Sequence, residues 1–399
     1  MGSRAVPRSS DPPGDARSQT IYGMETDMKL FNTLDTTGHE EVVFCHNKEA
    51  GLKAIIGIHN TALGPALGGL RMWPYETEDE ALEDVLRLSR GMTYKAAVAG
   101  LNLGGGKAVI IGDSNTDKSE VLFRALGRFV DSLKGRYITA EDVGTDVNDM
   151  EIVFQETDYC VGVHQVHGGS GDPSPFTAYG VLQAIRACLQ KRFGDEEVGK
   201  YSYAIQGVGH VGYHLARLLH EEGAKIFVSD IDGERVERVV EEFGCERVEN
   251  AGIFDVDADV FSPSALGAGI NHETLPRMKF KIIAGAANNQ LADDSCGDEL
   301  DRRGILYAPD YAANAGGLMN VSIELEGYNR ERAIRMTRTI YYNVSRIFEI
   351  AERDGIPTWK AADRMAEERI AAVSHLKVPF LGRRPLRFYG RGHASEPRD

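Results

Sequence analysis

The sequence predicts an α/β protein built as two domains, and three observations carry that expectation. Tyr201 to Gln206 reads as a strand, Gly207-Val-Gly-His-Val-Gly212 as a glycine turn, the residues to Glu222 as a helix, and Lys225 to Ser229 as a second strand ending on Asp230. A lone Gly-x-Gly-x-x-Gly is weak, but this full order with a terminal acid is the dinucleotide signature of a Rossmann-type fold. A separate alternation of strands and helices precedes it, from Glu41 to about Leu133. Between the two lies the sharpest composition break in the chain, His167-Gly-Gly-Ser-Gly-Asp-Pro-Ser-Pro175, which reads as a hinge. The expected division is a disordered tail (1–20), a first α/β domain (21–166 plus about 350–382), a Rossmann-type dinucleotide-binding domain (167–349) and a mobile tail (383–399).

The elements follow in order. Residues 1–20 are rich in Pro, Ser, Arg and Gly without apolar periodicity, and Asp11 and Asp15 argue against a transit peptide. Val42-Val-Phe-Cys-His46, a turn through Gly51 and Leu52 to His59 read as a hairpin. A glycine-rich loop, Gly64 to Gly69, comes next. A helix from about Thr77 repeats apolar residues through Ala81, Leu82, Val85, Leu86, Leu88 and Met92, gathers acids in its first turns, and delivers Lys95 near its end. Gly104 to Gly106 read as a turn and Ala108 to Ile111 as a buried strand, which fixes Lys107 between them. Ser119 to Leu133 reads as a helix. A short strand then places Glu141 and Asp142 at its C-terminal end, unless Asp142 only caps a helix starting near Val147. Past the hinge, a helix spans Phe176 to Arg192. Later strands are expected at Val260 to Ala265, Lys281 to Asn289 and Gly304 to Asp310, a long helix from Ala313, and a last helix from Thr358 to about Leu376 that packs back on the first domain.

Composition narrows the function. With 399 residues and 42% hydrophobic content the chain can bury two cores, and a net charge of −15 argues against nucleic acid or an anionic membrane as partner. No apolar run approaches the roughly 20 residues of a spanning helix. Five scattered cysteines without a Cys-x-x-Cys indicate neither a disulfide framework nor a thiolate zinc site, and fit a reducing cytoplasm. Cys160, His164 and His167 have ligand-like spacing but lack a fourth ligand, so no metal is expected.

Two lysines in mainly apolar surroundings, Lys95 and Lys107, should disfavour each other's charge, so that at least one carries protons near neutral pH. The bland alternative is that Lys95 merely ends its helix and Lys107 snorkels. The motifs Gly64-Pro-Ala-Leu-Gly-Gly-Leu-Arg-Met72, Gly91-Met-Thr-Tyr-Lys95 and Gly104-Gly-Gly-Lys107 resemble the amino-acid dehydrogenases of the glutamate/leucine/phenylalanine/valine family, in wording nearest its leucine-type members. The resemblance runs from about Met28 to about Leu381.

The resemblance implies that Lys95 binds the substrate α-carboxylate with the Gly68 and Gly69 backbone nearby. It implies that Lys107 polarises the carbonyl or activates water, and that Asp142 moves the proton of the amino nitrogen. Thr177 resembles the family's threonine at the nicotinamide amide. Asn288 and Asn289 resemble its asparagine near substrate and nicotinamide; Asn289 is taken for substrate and Asn288 for cofactor, although the sequence does not choose between them. Positions matching the specificity pocket are Leu67, Ala140, Leu318 and Val321, none of them charged. The implied reaction is reversible oxidative deamination of leucine, valine or isoleucine to the 2-oxo acid and ammonia, by a homo-oligomer.

Gly207, Val208, Gly209, His210, Val211 and Gly212 would hold pyrophosphate at a helix N-terminus, while Asp230 would accept the ribose hydroxyls and repel a 2′-phosphate, favouring NAD over NADP. Leu70 and Leu318 depart from the leucine-type wording, where threonine and valine are common, and keep an aromatic substrate as the alternative. A non-catalytic NAD sensor is the remaining reading, and it would need none of Lys95, Lys107 and Asp142.

Overall fold

The computed structural model describes residues 30–265 and 267–375. The expectations for the tails at 1–20 and 383–399 lie outside the described residues. The first sheet grows from the expected hairpin: α1 (Leu30–Thr37) leads into β1 (Glu41–Asn47), which returns antiparallel as β2 (Leu52–Asn60). Then follow β3 (Ala66–Trp73), α2 (Glu78–Val98), β4 (Gly104–Ile111), α3 (Glu120–Ser132), β5 (Tyr137–Glu141) and α4 (Val147–Phe154). The strands lie in the order β1-β2-β4-β3-β5, with β4, β3 and β5 mutually parallel and β2 antiparallel to β4.

Two local expectations are corrected here. The loop expected at Gly64 to Gly69 is mostly strand, since β3 begins at Ala66, and the turn expected at Gly104 to Gly106 is the start of β4. None of Gly104, Gly105 and Gly106 has a positive φ. What they supply is room: a Cβ on Gly105 would lie 2.0 Å from the backbone nitrogen of Thr93, so α2 crosses the sheet at a distance that no side chain permits.

Helix α2 starts where the sequence says it should. Thr77 accepts a hydrogen bond from the Glu80 amide, with Glu78, Asp79 and Glu80 in the first turn. Its other end is closed from far along the chain. Arg369 of α13 (Thr358–Ser374) donates to the carbonyls of Ala96 and Ala97, at 3.3 and 2.8 Å, and to Asn102 Oδ1 at 3.2 Å. Tyr94 also donates to Glu367 of α13 at 3.0 Å, so the last helix does pack back on the first sheet's helix layer.

The second sheet opens after α5 (Ser174–Phe193) with β6 (Ser202–Gln206), α6 (His210–Glu221), β7 (Lys225–Ser229), α7 (Gly233–Phe243) and β8 (Glu246–Arg247). It continues through β9 (Val260–Pro263), β10 (Ile282–Ile283), α8 (Asp294–Arg302) and β11 (Leu306–Tyr307). All pairs are parallel and the order is β11-β10-β9-β6-β7-β8, which counted from β6 is the doubly wound order 3-2-1-4-5-6. The last three strands are shorter than expected because pairing stops where the chains diverge at their carboxyl ends.

The long helix expected from Ala313 is instead broken into α9 (Asp310–Ala313), α10 (Gly316–Ser322) and a 3-10 turn at Ile323–Glu326, before α11 (Arg330–Arg338) and α12 (Ile340–Asp354). The break has a cause. Asn314, between α9 and α10, is tied by its side-chain amide to the carbonyls of Ala286 and Ala287 and to Asn288 Oδ1, which pulls the chain onto the sheet edge. One apolar cluster joins residues of both sheets, with Leu67 and Ala140 packed in the same core as Val181, Ile205 and Leu318. Among the described residues no helix is long and apolar enough to cross a membrane.

A buried polar knot fixes α1 to this layer. His39 meets Leu86 O and Ser89 Oγ at 3.0 and 2.9 Å, His59 meets Thr93 Oγ1 at 2.8 Å, and the two rings pack edge to face. Burial lowers both pKa values, that of His59 to about 4. In the unfolded chain these rings take up protons near 6.5, so the contribution of neutral His59 is complete above that pH and is lost as pH falls towards 4. Urea unfolding should therefore show stability dropping by about 2 kcal/mol between pH 7 and pH 4.5 from His59, with a shallower slope in His59→Gln.

Candidate active site

The parallel trio β4, β3 and β5 brings three charged side chains to one place. Lys107, on β4, is 4% exposed and its ammonium lies 2.9 Å from Asp142 Oδ2. Arg71, on β3, donates its Nε–H to the same oxygen at 3.0 Å. The Arg71 Nη1 group reaches on to Asp84 of α2 at 2.9 Å, and Asp84 also accepts from Tyr75 at 2.7 Å and from Arg87 at 2.7 Å. Asp142 is therefore no helix cap: α4 is capped by Asp146, which forms a capping box with Asp149. Nor does Lys107 snorkel, because its charged end is the buried end.

The electrostatics follow from burial more than from the two lysines repelling each other. Burial is the largest influence on Lys107 and lowers its pKa, Asp142 opposes that shift, and the nearby cation that adds to it is Arg71. Lys95, half-buried in the α2 end, is lowered to about 8, again chiefly by burial, with Asp310 and Asp142 opposing and Lys107 contributing. Both lysines are thus lowered, as expected, with burial the larger cause and their repulsion, which registers at Lys95, the smaller. Burial alone would raise Asp142, but Lys107 and Arg71 together outweigh it and hold the carboxyl below its usual range.

Around these charges the wall is apolar. Leu67, Ala140 and Leu318 are buried in one cluster with Val321 packed against it. Gly69 makes room for the carboxylate itself, since a Cβ there would lie 2.7 Å from Asp142 Cβ, and one on Gly68 would strike Gly106 O. Near Lys95 stands Asp310, half-buried at the start of α9, which accepts from the amides of Gln290 and Tyr311 and has its pKa raised by desolvation.

The carboxyl edge of the second sheet is shaped for a dinucleotide. Gly207 has φ +92°, and a Cβ there would crowd Ala265, while one on Gly212 would lie 2.0 Å from Gly207 O. The α6 N-terminus at Gly209 and His210 carries no side-chain cap, which leaves its amides for an anion. Asp230 accepts from Val208 N at 2.8 Å and from Asp232 N at 2.9 Å, placing its carboxylate against the turn. Buried polar atoms without a protein partner line the same edge: Gln206 Oε1, Ser229 Oγ, Ser262 Oγ and Ser264 Oγ. A ligand rich in hydroxyls and phosphate fits such a lining. Thr177 donates to Pro173 O at 3.2 Å, beside Gly317 of α10.

Asn288 and Asn289 are both exposed at this edge, and Asn289 takes a left-handed φ of 51°. Asn314, to which the sequence pointed no role, orients Asn288 and leaves its own Oδ1 unpartnered. Arg71, Asp84 and Asp310 were likewise missed; only their three-dimensional neighbours mark them. The trio Cys160, His164 and His167 does not assemble: Cys160 faces Met150, His164 meets Asn148, and His167 meets Glu151.

A dinucleotide edge facing a buried lysine–carboxylate pair, with a second lysine beside it, defines an NAD-dependent oxidoreductase of a small carboxylate-bearing substrate. Comparison with known proteins makes this specific. Residues 39–159 match the Glu/Leu/Phe/Val dehydrogenase dimerisation domain, and 168–238 with 231–376 match the Glutamate/Leucine/Phenylalanine/Valine dehydrogenase domain. The chain is 57% identical to leucine dehydrogenase of Geobacillus stearothermophilus over 89% of its own length and 96% of the relative's. It is 50% identical to phenylalanine dehydrogenase of Bacillus thermotolerans over 87% of its length and 91% of that protein's. The crystal structure of L-tryptophan dehydrogenase from Nostoc punctiforme superposes with a TM-score of 0.78 at 47% identity, covering 87% of this chain and all of that one. The chain belongs to the Glu/Leu/Phe/Val dehydrogenase family and is an amino-acid dehydrogenase acting on a CH–NH2 group.

If Arg71 holds Asp142 anionic, Arg71→Gln removes one of the two cations on its Oδ2. The acid limb of the kcat/KM profile for amino-acid oxidation should then move to higher pH by about one unit. An unmoved limb would show that Lys107 alone sets the carboxylate.

Proposed function

We propose that the chain catalyses the reversible, NAD-dependent oxidative deamination of branched-chain aliphatic L-amino acids, leucine foremost and valine and isoleucine also, to the 2-oxo acid and ammonia. The observation that carries this reading is the buried Lys107–Asp142 pair within a pocket whose mapped side-chain walls, Leu67, Ala140, Leu318 and Val321, hold no charge. A glutamate side chain would find no cation among those four, whereas an aliphatic one is desolvated at little cost. The leucine dehydrogenase relatives at 54–57% identity support the aliphatic choice over the phenylalanine dehydrogenase at 50%.

In the proposed reaction Lys95 pairs with the substrate carboxylate while the Gly68 and Gly69 backbone lies alongside. Asp142, held anionic by Lys107 and Arg71, takes a proton from the substrate ammonium. NAD, when bound by the 207–212 turn, Asp230, Thr177 and Asn288, supplies the acceptor for the hydride that leaves the α-carbon. Lys107 then assists water onto the resulting iminium carbon, its positive charge stabilising the oxygen while the water releases one proton to solvent. Asp142 returns its proton to the nitrogen, the C–N bond breaks as the carbinol hydroxyl gives up its proton to solvent, ammonia leaves, and the 2-oxo acid remains. Asn289 would face the substrate.

We further propose a homo-oligomer assembled through the first sheet, a cytoplasmic location consistent with five buried free cysteines, and domain boundaries near 166–167 and 350 with closure about the 167–175 segment. The match of residues 39–159 to a dimerisation domain and the exposed Phe44 of edge strand β1 support the assembly, which sedimentation of the purified chain would test. Closure predicts different interdomain geometry with and without both ligands.

Three kinetic outcomes test the rest. NADH formation across the twenty amino acids with NAD should be greatest for leucine, valine and isoleucine, and a preference for phenylalanine would install the aromatic alternative. NADP should serve far less well, and Asp230→Ala with Asp232→Ala should erase that discrimination in a chain that still folds, with a lowered thermal midpoint because Asp232 caps α7 and Asp230 holds two amides. Lys107→Ala should abolish turnover with NADH affinity unchanged, and Lys95→Ala should mainly raise the amino-acid KM.

A further inference from the structure

The buried carboxylate of Glu324 has no part in the chemistry above, yet it joins three regions that the reaction depends on. It lies in the 3-10 turn directly after α10, the helix that carries Leu318 and Val321. Its Oε2 accepts the Gly162 amide at 2.9 Å and its Oε1 accepts the Ser170 amide at 2.8 Å. Glu324 is 7% exposed and Ser170 is 5% exposed, so water does not substitute for these bonds. The two amides bracket residues 163–169, the stretch by which the chain leaves the first sheet for the second. The residues just before Gly162 run beside β5: Val161 N donates to Thr139 O at 2.9 Å, and Thr139 N donates to Tyr159 O at 3.0 Å. That strand ends at Glu141, one residue before Asp142.

We propose that Glu324 is a positioning residue that locks the pocket helix α10 to both ends of the interdomain crossing, and so sets the distance between the Leu318 and Val321 side of the wall and Asp142 at the end of β5. The proposal rests on the dehydrogenase reading above for what is being positioned. The residue type matters. A carboxylate has two acceptor oxygens and no hydrogen, so it satisfies two amides at once, whereas a glutamine of the same shape would turn an N–H toward one of them. Aspartate keeps both oxygens on a shorter arm. A side chain that only filled space would be indifferent to the exchange of an oxygen for an NH2.

The test uses the full chain and the substitutions E324Q and E324D. Amide exchange by mass spectrometry reads the clamp at Gly162 and Ser170, fluorescence titration reads NADH affinity, and steady-state kinetics separate KM from kcat. E324Q should speed exchange across 162–170 and raise the amino-acid KM by about tenfold, as expected for one buried amide left unpaired. NADH affinity should stay within about twofold, because the 207–212 turn lies outside the clamp. E324D should recover part of both effects, and it carries the same test if the glutamine chain does not fold. Unchanged exchange overturns the clamp. Faster exchange with unchanged kinetics overturns the positioning role and leaves a structural peg. If the unsubstituted chain turns over no amino acid, the dehydrogenase reading fails instead, and the clamp then stands or falls on the exchange result alone.

Discussion

Keeping the Lys107 ammonium away from water while leaving it within reach of a carboxylate is the constraint on which the cleft depends. A charge buried in this way is costly unless paired, and Asp142 at 2.9 Å is the pair. The carboxylate in turn must not be neutralised by its own burial, which is why a second cation, Arg71, sits on the same oxygen. Arg71 is fixed by Asp84, and Asp84 is fixed by Tyr75 and Arg87. Each link removes one freedom from the next, so the last members of the chain lie at the protein surface while the first lies at the centre of the site.

The same constraint explains the floor of the pocket. Helix α2 carries both Lys95 and Asp84 and lies almost on the backbone of β4. Gly105 permits that approach, Gly104 and Gly106 make room for Asn60 and Tyr137, and Gly68 and Gly69 do the same for the neighbouring strand and for Asp142. The polar knot of His39, His59, Ser89 and Thr93 holds the helix on this same sheet-facing side. Under the proposed reaction, substrate selectivity falls to the wall, where Leu67, Ala140 and Leu318 belong to one apolar cluster with Val321 packed against it.

Much of this architecture was legible in the sequence, for reasons that can be named. The strand, glycine turn, helix and Asp230 of the second sheet form one contiguous signal, and its doubly wound order follows from right-handed connections. The hairpin at β1 and β2 and the start of α2 at Thr77 were legible because turn and cap chemistry is local. Gly104 to Gly106 were misread as a turn because glycine serves both conformational freedom and close packing, and only a neighbour remote in sequence, Thr93, decides between them. The break at Asn314 escaped for the same reason, since it is made by carbonyls at 286 and 287. Of the site, Lys95, Lys107 and Asp142 stood out as charges in apolar company. Arg71, inside one of the motifs, and Asp310, at the end of an expected strand, drew no role because their partners lie far away in the sequence.

Arg369 draws a further consequence from the way the chain closes on itself. The final turn of α2, which carries Lys95, has two of its terminal carbonyls satisfied by a guanidinium from the last described helix. The strands of the first sheet, all encoded before residue 142, can pair as soon as they emerge during synthesis, and the second sheet can follow. The Ala96 and Ala97 carbonyls also accept the Leu101 and Gly100 amides, so α2 closes locally, and the Arg369 contacts join only when α13 docks some 270 residues later. A nascent chain therefore assembles both sheets before the turn that carries Lys95 gains its last cross-chain contacts.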